Sequence, residues 1–432
     1  MSRGRSCGSM AVSPSSDAQE IAVVGAGIVG CATALWLARD GHRVTLIDRK
    51  APGEETSHGN GGVLAAAGMV PVTTPGLIRK APRMLVSRDE PLYLRWGYLP
   101  RLLPWLVRYL SHANAAETER IAAALAPIIG DSLNDHLALA EGTDAARYIH
   151  PCDYLYLYRD RAAYRADGFA WDLRARHGIA REELEGEALR AYDPAFAPDQ
   201  RLAIRLPGHG RISDPGAYTR ALAAEVERRG GRILRATLRG IVRENGAVTG
   251  LRLDGETLPC RRVILATGVW SKEIARPLGL SIPMESERGY HLDLWEPSRM
   301  PRAPVMIAAA KFVATPMEGR LRLAGIVEFG GLSRGPSRAP FAYLERMAKR
   351  ALPGLTWARA DEWMGHRPAP SDSIPLIGPV PGLQGAFVAA GHHHVGLTGS
   401  ARTGRLIARL ATGRAPNLDM TPYDPARFAT PD

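Results

Sequence analysis

Ile21-Ala22-Val23-Val24-Gly25-Ala26-Gly27-Ile28-Val29-Gly30 is the stretch on which the fold turns. Four apolar residues run into glycines spaced G-x-G-x-x-G and then into an apolar run through Leu35, Trp36 and Leu37. The pattern predicts a strand, a tight turn and a helix N-terminus. Gly25 permits the turn, Gly27 lets backbone approach a pyrophosphate, and Gly30 lets helix and strand pack closely, with the amides at Ile28 and Val29 facing the anion. A second strand, Arg43 to Ile47, ends at Asp48, whose carboxylate is placed to accept hydrogen bonds from a ribose. In this strand-turn-helix-strand-acid context the reading is dinucleotide binding rather than a βαβ unit that only packs.

Composition sets the outer limits. The chain has 432 residues and 45% hydrophobic content, enough for two domains sharing a large core. The net charge of +11 comes from arginines scattered along the chain, with only five lysines and no dense basic or aromatic-interleaved run, so no nucleic-acid partner is expected. Cys7, Cys31, Cys152 and Cys260 form no CxxC pair, which argues against a metal cluster or disulfide framework and for a reducing, cytoplasmic setting. Residues 1–19 are Ser-rich, carry Arg3 and Arg5, lack the apolar stretch of a secretory signal and read as a mobile tail. No run reaches transmembrane length.

Farther along, Ile121 to Glu141 predicts one helix and Asp153 to Tyr158 a strand. A helix is expected from Asp214-Pro215 to about Arg229, with strands at Arg232–Ala236 and Val248–Leu253 and a hairpin turn at Asn245-Gly246. Arg262 to Leu265 reads as a buried strand stopping at Ala266-Thr267-Gly268. Arg288 to Leu294 predicts another strand, and Lys311–Thr315 pairs with Arg320–Glu328 across Met317-Glu318-Gly319. The fold class expected is α/β with α+β character: a Rossmann-like nucleotide domain (20–90, 212–280 and 365–420) interleaved with an antiparallel-sheet substrate domain (91–211 and 281–364). Residues 91–110, rich in Trp, Tyr, Leu and Arg, either cover the core or lie flat on a membrane as a peripheral contact. Pro100 and Pro104 are expected to break a continuous interfacial helix, which favours the former.

The chain resembles the D-amino-acid oxidase superfamily of FAD-dependent oxidoreductases, most closely its bacterial D-amino-acid dehydrogenase branch, over roughly residues 20–415. The matching pieces are the glycine motif, Thr56-Ser57 with Asn60-Gly61-Gly62, Ala266 to Ser271, Arg288-Gly289-Tyr290, the hairpin Lys311 to Glu328, Gly365-His366-Arg367-Pro368 and Gly391-His392. The resemblance implies non-covalent FAD and dehydrogenation of an amino or imino acid to an imine that water hydrolyses. It places Arg367 on the substrate carboxylate, with Tyr290, His58 and His394 as further catalytic candidates. It places Arg49, Ser57, Asn60, Gly61, Leu238, Ala266, Gly268 and Trp270 on the cofactor beside Gly25, Gly27, Ile28, Val29, Gly30 and Asp48. Gly391, His392, His394, Val395, Gly396, Leu397 and Thr398 match the segment at the flavin ring, where a helix N-terminus can stabilise negative charge near N1.

Two departures mark the substrate pocket: Phe312 stands where related glycine oxidases carry a carboxylate-binding tyrosine, and His394 where they carry an arginine. The Gly365-to-Asp372 segment and the hairpin resemble proteins of cis-4-hydroxy-D-proline oxidation, so a cyclic imino acid is the expected substrate and a quinone or other carrier the electron acceptor. With the amine neutral, positioning of Cα dominates over acid-base catalysis. His291, His392 and His393 join His58 and His394 as candidates to tune the site or accept a proton, and no metal is expected, since adjacent histidines point in different directions and no acidic or Cys partner sits at ligand spacing. Other readings stay open: a glycine- or sarcosine-type oxidase using O2, a non-catalytic flavoprotein subunit, or an NAD-binding module.

Overall fold

The computed structural model describes residues 18–79 and 91–429, so the expected tail falls almost wholly outside the described residues. Among these, Glu20–Val24 lies inside a six-stranded sheet ordered Leu376–Pro379, Ala386–Ala390, Val263–Leu265, Glu20–Val24, Arg43–Asp48, Arg232–Arg235. Its pairings with Arg43–Asp48 and Val263–Leu265 are both parallel. The unbroken apolar run follows from burial on both faces: Ile21 and Val23 join the core under helix Ile28–Arg39, while Ala22 and Val24 join another on the opposite side. That helix lies against Gly396–Ala411, with Trp36 Nε1 donating to Ala401 O at 3.0 Å.

The larger sheet has ten strands among the described residues. Met284–Trp295, buried almost throughout, pairs antiparallel with Arg320–Phe329 on one side and Arg359–Pro370 on the other. In the second pairing Gly289 stands opposite Gly365, and Glu287 opposite Arg367. Because side chains alternate across a strand, Glu287, Gly289 and Arg367 share one face while Arg288, Tyr290 and His366 take the other. Val63–Leu64 joins this sheet, and Arg359–Pro370 runs through the expected boundary at 364/365 without interruption. The Asn245-Gly246 hairpin forms as expected, both residues with positive φ (49° and 75°), in a separate three-stranded sheet.

Two expectations need correction. Ile121 to Glu141 is not one helix: Ala115–Ile129 ends at Gly130, and Ser132–Ala140 begins after Asp131. The Ala/Leu-rich composition hides the break because both pieces bury the same kinds of residue. Likewise Pro100 and Pro104 do not break Leu99–Ser111. Pro100 falls in the first turn, and Pro104 removes a single helix bond on the exposed side. The helix buries Leu102, Trp105 and Tyr109 against Phe329 and Ala369, and Trp105 Nε1 donates to Ala369 O at 3.0 Å. Trp96, Leu103 and Val107 stay exposed. Among the described residues no helix is long and apolar enough to cross a membrane.

Candidate active site

One cavity of about 940 Å³ is lined from both sheets. At one end stands the glycine turn. Gly25 has φ 106°, and a Cβ on it would meet Ala266 O at 2.3 Å; a Cβ on Gly30 would lie 1.8 Å from Gly25 O. Helix Ile28–Arg39 therefore starts flush against the strand, with no side-chain cap at Gly27 and no acid in its first turn. Such an end turns a positive dipole and the Gly27 and Val29 amides toward an anion, the Ile28 N–H being taken by Ser57 Oγ. Asp48 Oδ2 accepts from Ala26 N at 2.7 Å and Oδ1 from Lys50 N at 2.9 Å, so the expected ribose acid also closes the glycine turn. Beyond it, the Arg49 guanidinium sits 4.1 Å over the Trp270 ring, next to Leu238 on the cavity wall.

The loop from Thr56 to Gly62 bridges the two sheets. Ser57 Oγ accepts from Ile28 N at 2.8 Å, and Thr56 Oγ1 donates to His366 O at 2.8 Å. Arg322, fully buried, donates from Nη1 to the carbonyls of His58 (2.9 Å) and Asn60 (2.8 Å). Its charge is met by Asp293, whose carboxylate accepts from Nε and Nη2 at 2.7 Å each, a fork-to-fork pair.

 The Asp293 carboxyl is held down to about 2, its burial being outweighed by the bonds and charge of Arg322.

The far end has the larger sheet as its floor. Gly289 leaves the space that the Arg367 guanidinium occupies: a Cβ there would lie 2.6 Å from Arg367 Cζ. Arg367 Nη1 donates to Ile326 O at 3.2 Å and lies 3.7 Å from Glu287 Oε2. Burial pushes the guanidinium pKa down, and Glu287 opposes the shift. Glu287 Oε2 also accepts from His393 Nε2 at 3.0 Å. Although burial raises the Glu287 pKa, His393 and Arg367 together bring it to about 2, so the carboxylate stays ionised. Trp363 stacks on His291, ring centroids 5.0 Å apart, and fills the space that side chains at Gly59 and Gly365 would need.

Every residue expected at the cofactor lines this cavity except Gly30, which packs behind the turn. Arg367 and His394 line it too; burial pushes the His394 pKa down to about 3, keeping the ring neutral. His392 borders the cavity, but its Nε2 is bonded to Thr403 Oγ1 at 3.0 Å. Two catalytic candidates are corrected. His58 is not among the lining residues: its ring is beside His291, Trp363 and Gly216, because the carbonyls of the loop, rather than its side chains, are anchored to Arg322. Tyr290 borders the cavity, yet its hydroxyl donates to Glu328 at 2.6 Å and accepts from Ser337 N at 2.9 Å, on the opposite face from Arg367. Phe312 also packs in the hydrophobic core of the larger sheet, with Leu292, Leu323 and Phe341, rather than in the cavity wall, so the missing tyrosine hydroxyl does not distinguish this pocket. Sequence reasoning missed Glu287, Trp363 and Tyr109, all of which line the cavity.

The buried histidines give a pH prediction. His136 donates from Nε2 to Leu397 O (2.9 Å) and accepts at Nδ1 from Tyr218 (2.8 Å). Burial lowers its pKa to about 4, that of His392 to about 4 and that of His291 to about 3. Between roughly pH 6.5 and 4 the unfolded chain therefore binds more protons than the native one, so stability rises with pH there, by up to about 1.4 kcal/mol per pH unit for each histidine. The melting temperature should fall steeply as pH drops from 6.5 to 4.5; a flat profile would contradict the burial of these rings.

The helix start without a side-chain cap at Gly27, the room kept by Gly25 and the long, mainly apolar cavity between the sheets fit FAD. Comparison with known proteins agrees. The DAO family profile, described as FAD dependent oxidoreductase, matches residues 20–410. D-amino-acid oxidase of Bradyrhizobium diazoefficiens is 35% identical over 95% of this chain and 99% of that protein. D-amino acid dehydrogenase of Methylobacterium nodulans is 33% identical over 94% and 99%. Among solved structures, glycine oxidase from Geobacillus kaustophilus superposes with TM-score 0.72 at 22% identity, over 95% of this chain and 99% of that one. L-proline dehydrogenase from P. horikoshii gives TM-score 0.72 at 19% identity, over 95% and 98%.

Proposed function

The chain belongs to the family of FAD-dependent oxidoreductases, and on that footing we propose that it dehydrogenates a D-amino or cyclic imino acid, of the D-proline or cis-4-hydroxy-D-proline type, to the imine. The observation that carries this reading is Arg367: a desolvated guanidinium on the cavity floor, with room made for it by Gly289, facing the same space as the glycine turn. A planar fork of that kind suits a carboxylate. FAD, when bound, accepts the two electrons and hydrogen that leave the substrate Cα.

The chain's own residues bind and orient. Arg367 holds the carboxylate, while Val327, Phe329 and Trp363 supply apolar walls that exclude water and fix the substrate plane. The N-terminus of helix Gly396–Ala411, uncapped by any side chain, would stabilise negative charge on a flavin ring held beside it. Gly25, Gly27 and Val29, with Ile28 beside them, would hold the pyrophosphate, Asp48 the ribose, and Arg49, Leu238 and Trp270 the adenine end. His394 stays neutral at the ring. The cofactor is held without a covalent bond, because His58 is turned away and no described cysteine lines the cavity. Acid precipitation should release the yellow colour into the supernatant; colour kept in the pellet would refute this.

The acceptor proposed is a membrane quinone. Leu99, Leu106 and Leu110 line the cavity from a segment that also exposes Trp96, Leu103 and Val107, which suits a lipophilic acceptor and a peripheral membrane contact through 91–110. The relative named D-amino-acid oxidase favours O2 instead. Anaerobic turnover with a quinone analogue, set against peroxide yield in air, separates the two: little peroxide and fast quinone reduction are expected. A panel of D- and L-amino acids, prolines, glycine and sarcosine, ranked by rate of flavin bleaching, tests the substrate class. Cyclic D-imino acids should lead, and a lead for glycine or sarcosine would overturn the assignment.

A further inference from the structure

From the cross-strand pair on the cavity floor we infer that Glu287 is a specificity residue that reads the substrate nitrogen, so that Glu287 and Arg367 together recognise a zwitterion. This rests on the amino-acid reading above and adds a second contact point to it.

Glu287 and Arg367 are register partners on neighbouring strands and project from the same face. Their closest charged atoms are 3.7 Å apart, beyond hydrogen-bond distance, so the pair is open rather than closed on itself. Each group keeps unused capacity. Among the described residues, the guanidinium makes one hydrogen bond, to Ile326 O. Glu287 Oε2 accepts from His393, while Oε1 takes no hydrogen bond among the described residues; the side chain is 5% exposed.

An ionised carboxylate oxygen on a cavity wall calls for a donor from whatever occupies the cavity. The neighbouring groups leave that role to a ligand. His393 is committed to Oε2, and the Tyr109 hydroxyl is buried with no partner of its own. An α-amino or imino acid enters with a carboxylate and a cationic nitrogen on one carbon, which is the spacing that an adjacent, unclosed Arg and Glu complement; when the nitrogen gives a proton to water and becomes neutral for the oxidation, it keeps an N–H for Glu287. A plain carboxylate satisfies Arg367 but meets the negative charge of Glu287. His393 holds Glu287 in place, and Pro368 O in turn holds His393 by accepting from its backbone N–H at 2.9 Å. With Cα facing the cofactor, two ionic contacts leave a single direction for the side chain, so the pair also selects one hand of the substrate.

The test uses holoenzyme and matched pairs of probes that differ in the nitrogen: D-proline with cyclopentanecarboxylate, and D-alanine with propionate. Half-saturation of anaerobic flavin reduction is measured for the amino acid, and the inhibition constant for its nitrogen-free partner. Glu287→Gln should raise the half-saturation of the amino acid by about tenfold or more, the loss of one charge-assisted contact, while the nitrogen-free acid binds as well or better. Glu287→Asp, which keeps the charge but shortens its reach, should fall between; if the Gln variant does not fold, the Asp variant alone decides by the same comparison. Parallel weakening of both probes, or no change in either, overturns the inference and leaves Glu287 as a structural counter-charge. Wild-type enzyme whose flavin no amino or imino acid bleaches removes the proposed function, and this inference with it.

Discussion

Replacing Arg367 by alanine is expected to raise the half-saturation for substrate-dependent flavin reduction by tenfold or more, because a charge-assisted contact to a carboxylate is worth about 1.5–3 kcal/mol. The loss should exceed that of an exposed cation. Glu287 would remain buried without the charge that faces it at 3.7 Å, and an uncompensated buried carboxylate is itself destabilising. Arg367→Lys should recover only part of the affinity, since a point charge lacks the fork. Gly289→Ala provides an independent route to the same defect: its Cβ would lie 2.6 Å from Arg367 Cζ and displace the guanidinium without removing its charge. Stopped-flow bleaching of the flavin checks all three. An unchanged half-saturation in Arg367→Ala would remove this residue from the substrate site.

The second large effect is expected at the cofactor end, from Gly30→Ala. A methyl there would lie 1.8 Å from Gly25 O, and neither the strand nor the helix can retreat without opening the turn that Asp48 closes through Ala26 N. Overpacking a buried contact costs typically about 1–3 kcal/mol and sometimes more. Here the strain falls on the turn that faces the pyrophosphate. The variant should purify with little flavin and a lowered melting temperature, read from the ratio of flavin to protein absorbance. Gly97→Ala, where a Cβ meets nothing within 4 Å, serves as the control and should keep its flavin. Full flavin content in Gly30→Ala would contradict the packing described for this turn.

The cofactor end was legible in the sequence because its determinants are local. Glycine spacing, the apolar run of Ile21 to Val24 and the acid at the end of the next strand all lie within 28 residues of one another, and each has one steric or electrostatic meaning. The substrate end was legible only in part. Arg367 stood out by its block, but its partner Glu287 lies 80 residues earlier, and only the antiparallel register between Met284–Trp295 and Arg359–Pro370 brings them together. Nothing in the local sequence states that register.

The misplacement of Tyr290 has the same origin. The alternation of a strand tells which residues share a face, but not which face meets the cavity, and Tyr290 takes the face opposite Gly289. His58 was misplaced because a loop's side-chain directions depend on what anchors its backbone, in this case the buried Arg322 contributed by a distant strand. A glycine opposite a glycine, Gly289 against Gly365, was the available signal that something large crosses the sheet there; it is filled by Arg367 from one side and Trp363 from the other.

On the proposed function, this cavity holds an amino or imino acid by its carboxylate against FAD and oxidises it at Cα. Anaerobic mixing of the holoenzyme with cis-4-hydroxy-D-proline, D-proline and their L-enantiomers, followed at the flavin absorbance band, tests it most directly. Rapid bleaching by the D-forms, slow or absent with the L-forms and lost in Arg367→Ala, is the predicted result. A flavin that stays oxidised with every amino and imino acid offered, or that bleaches equally fast in the Arg367 variant, would contradict it.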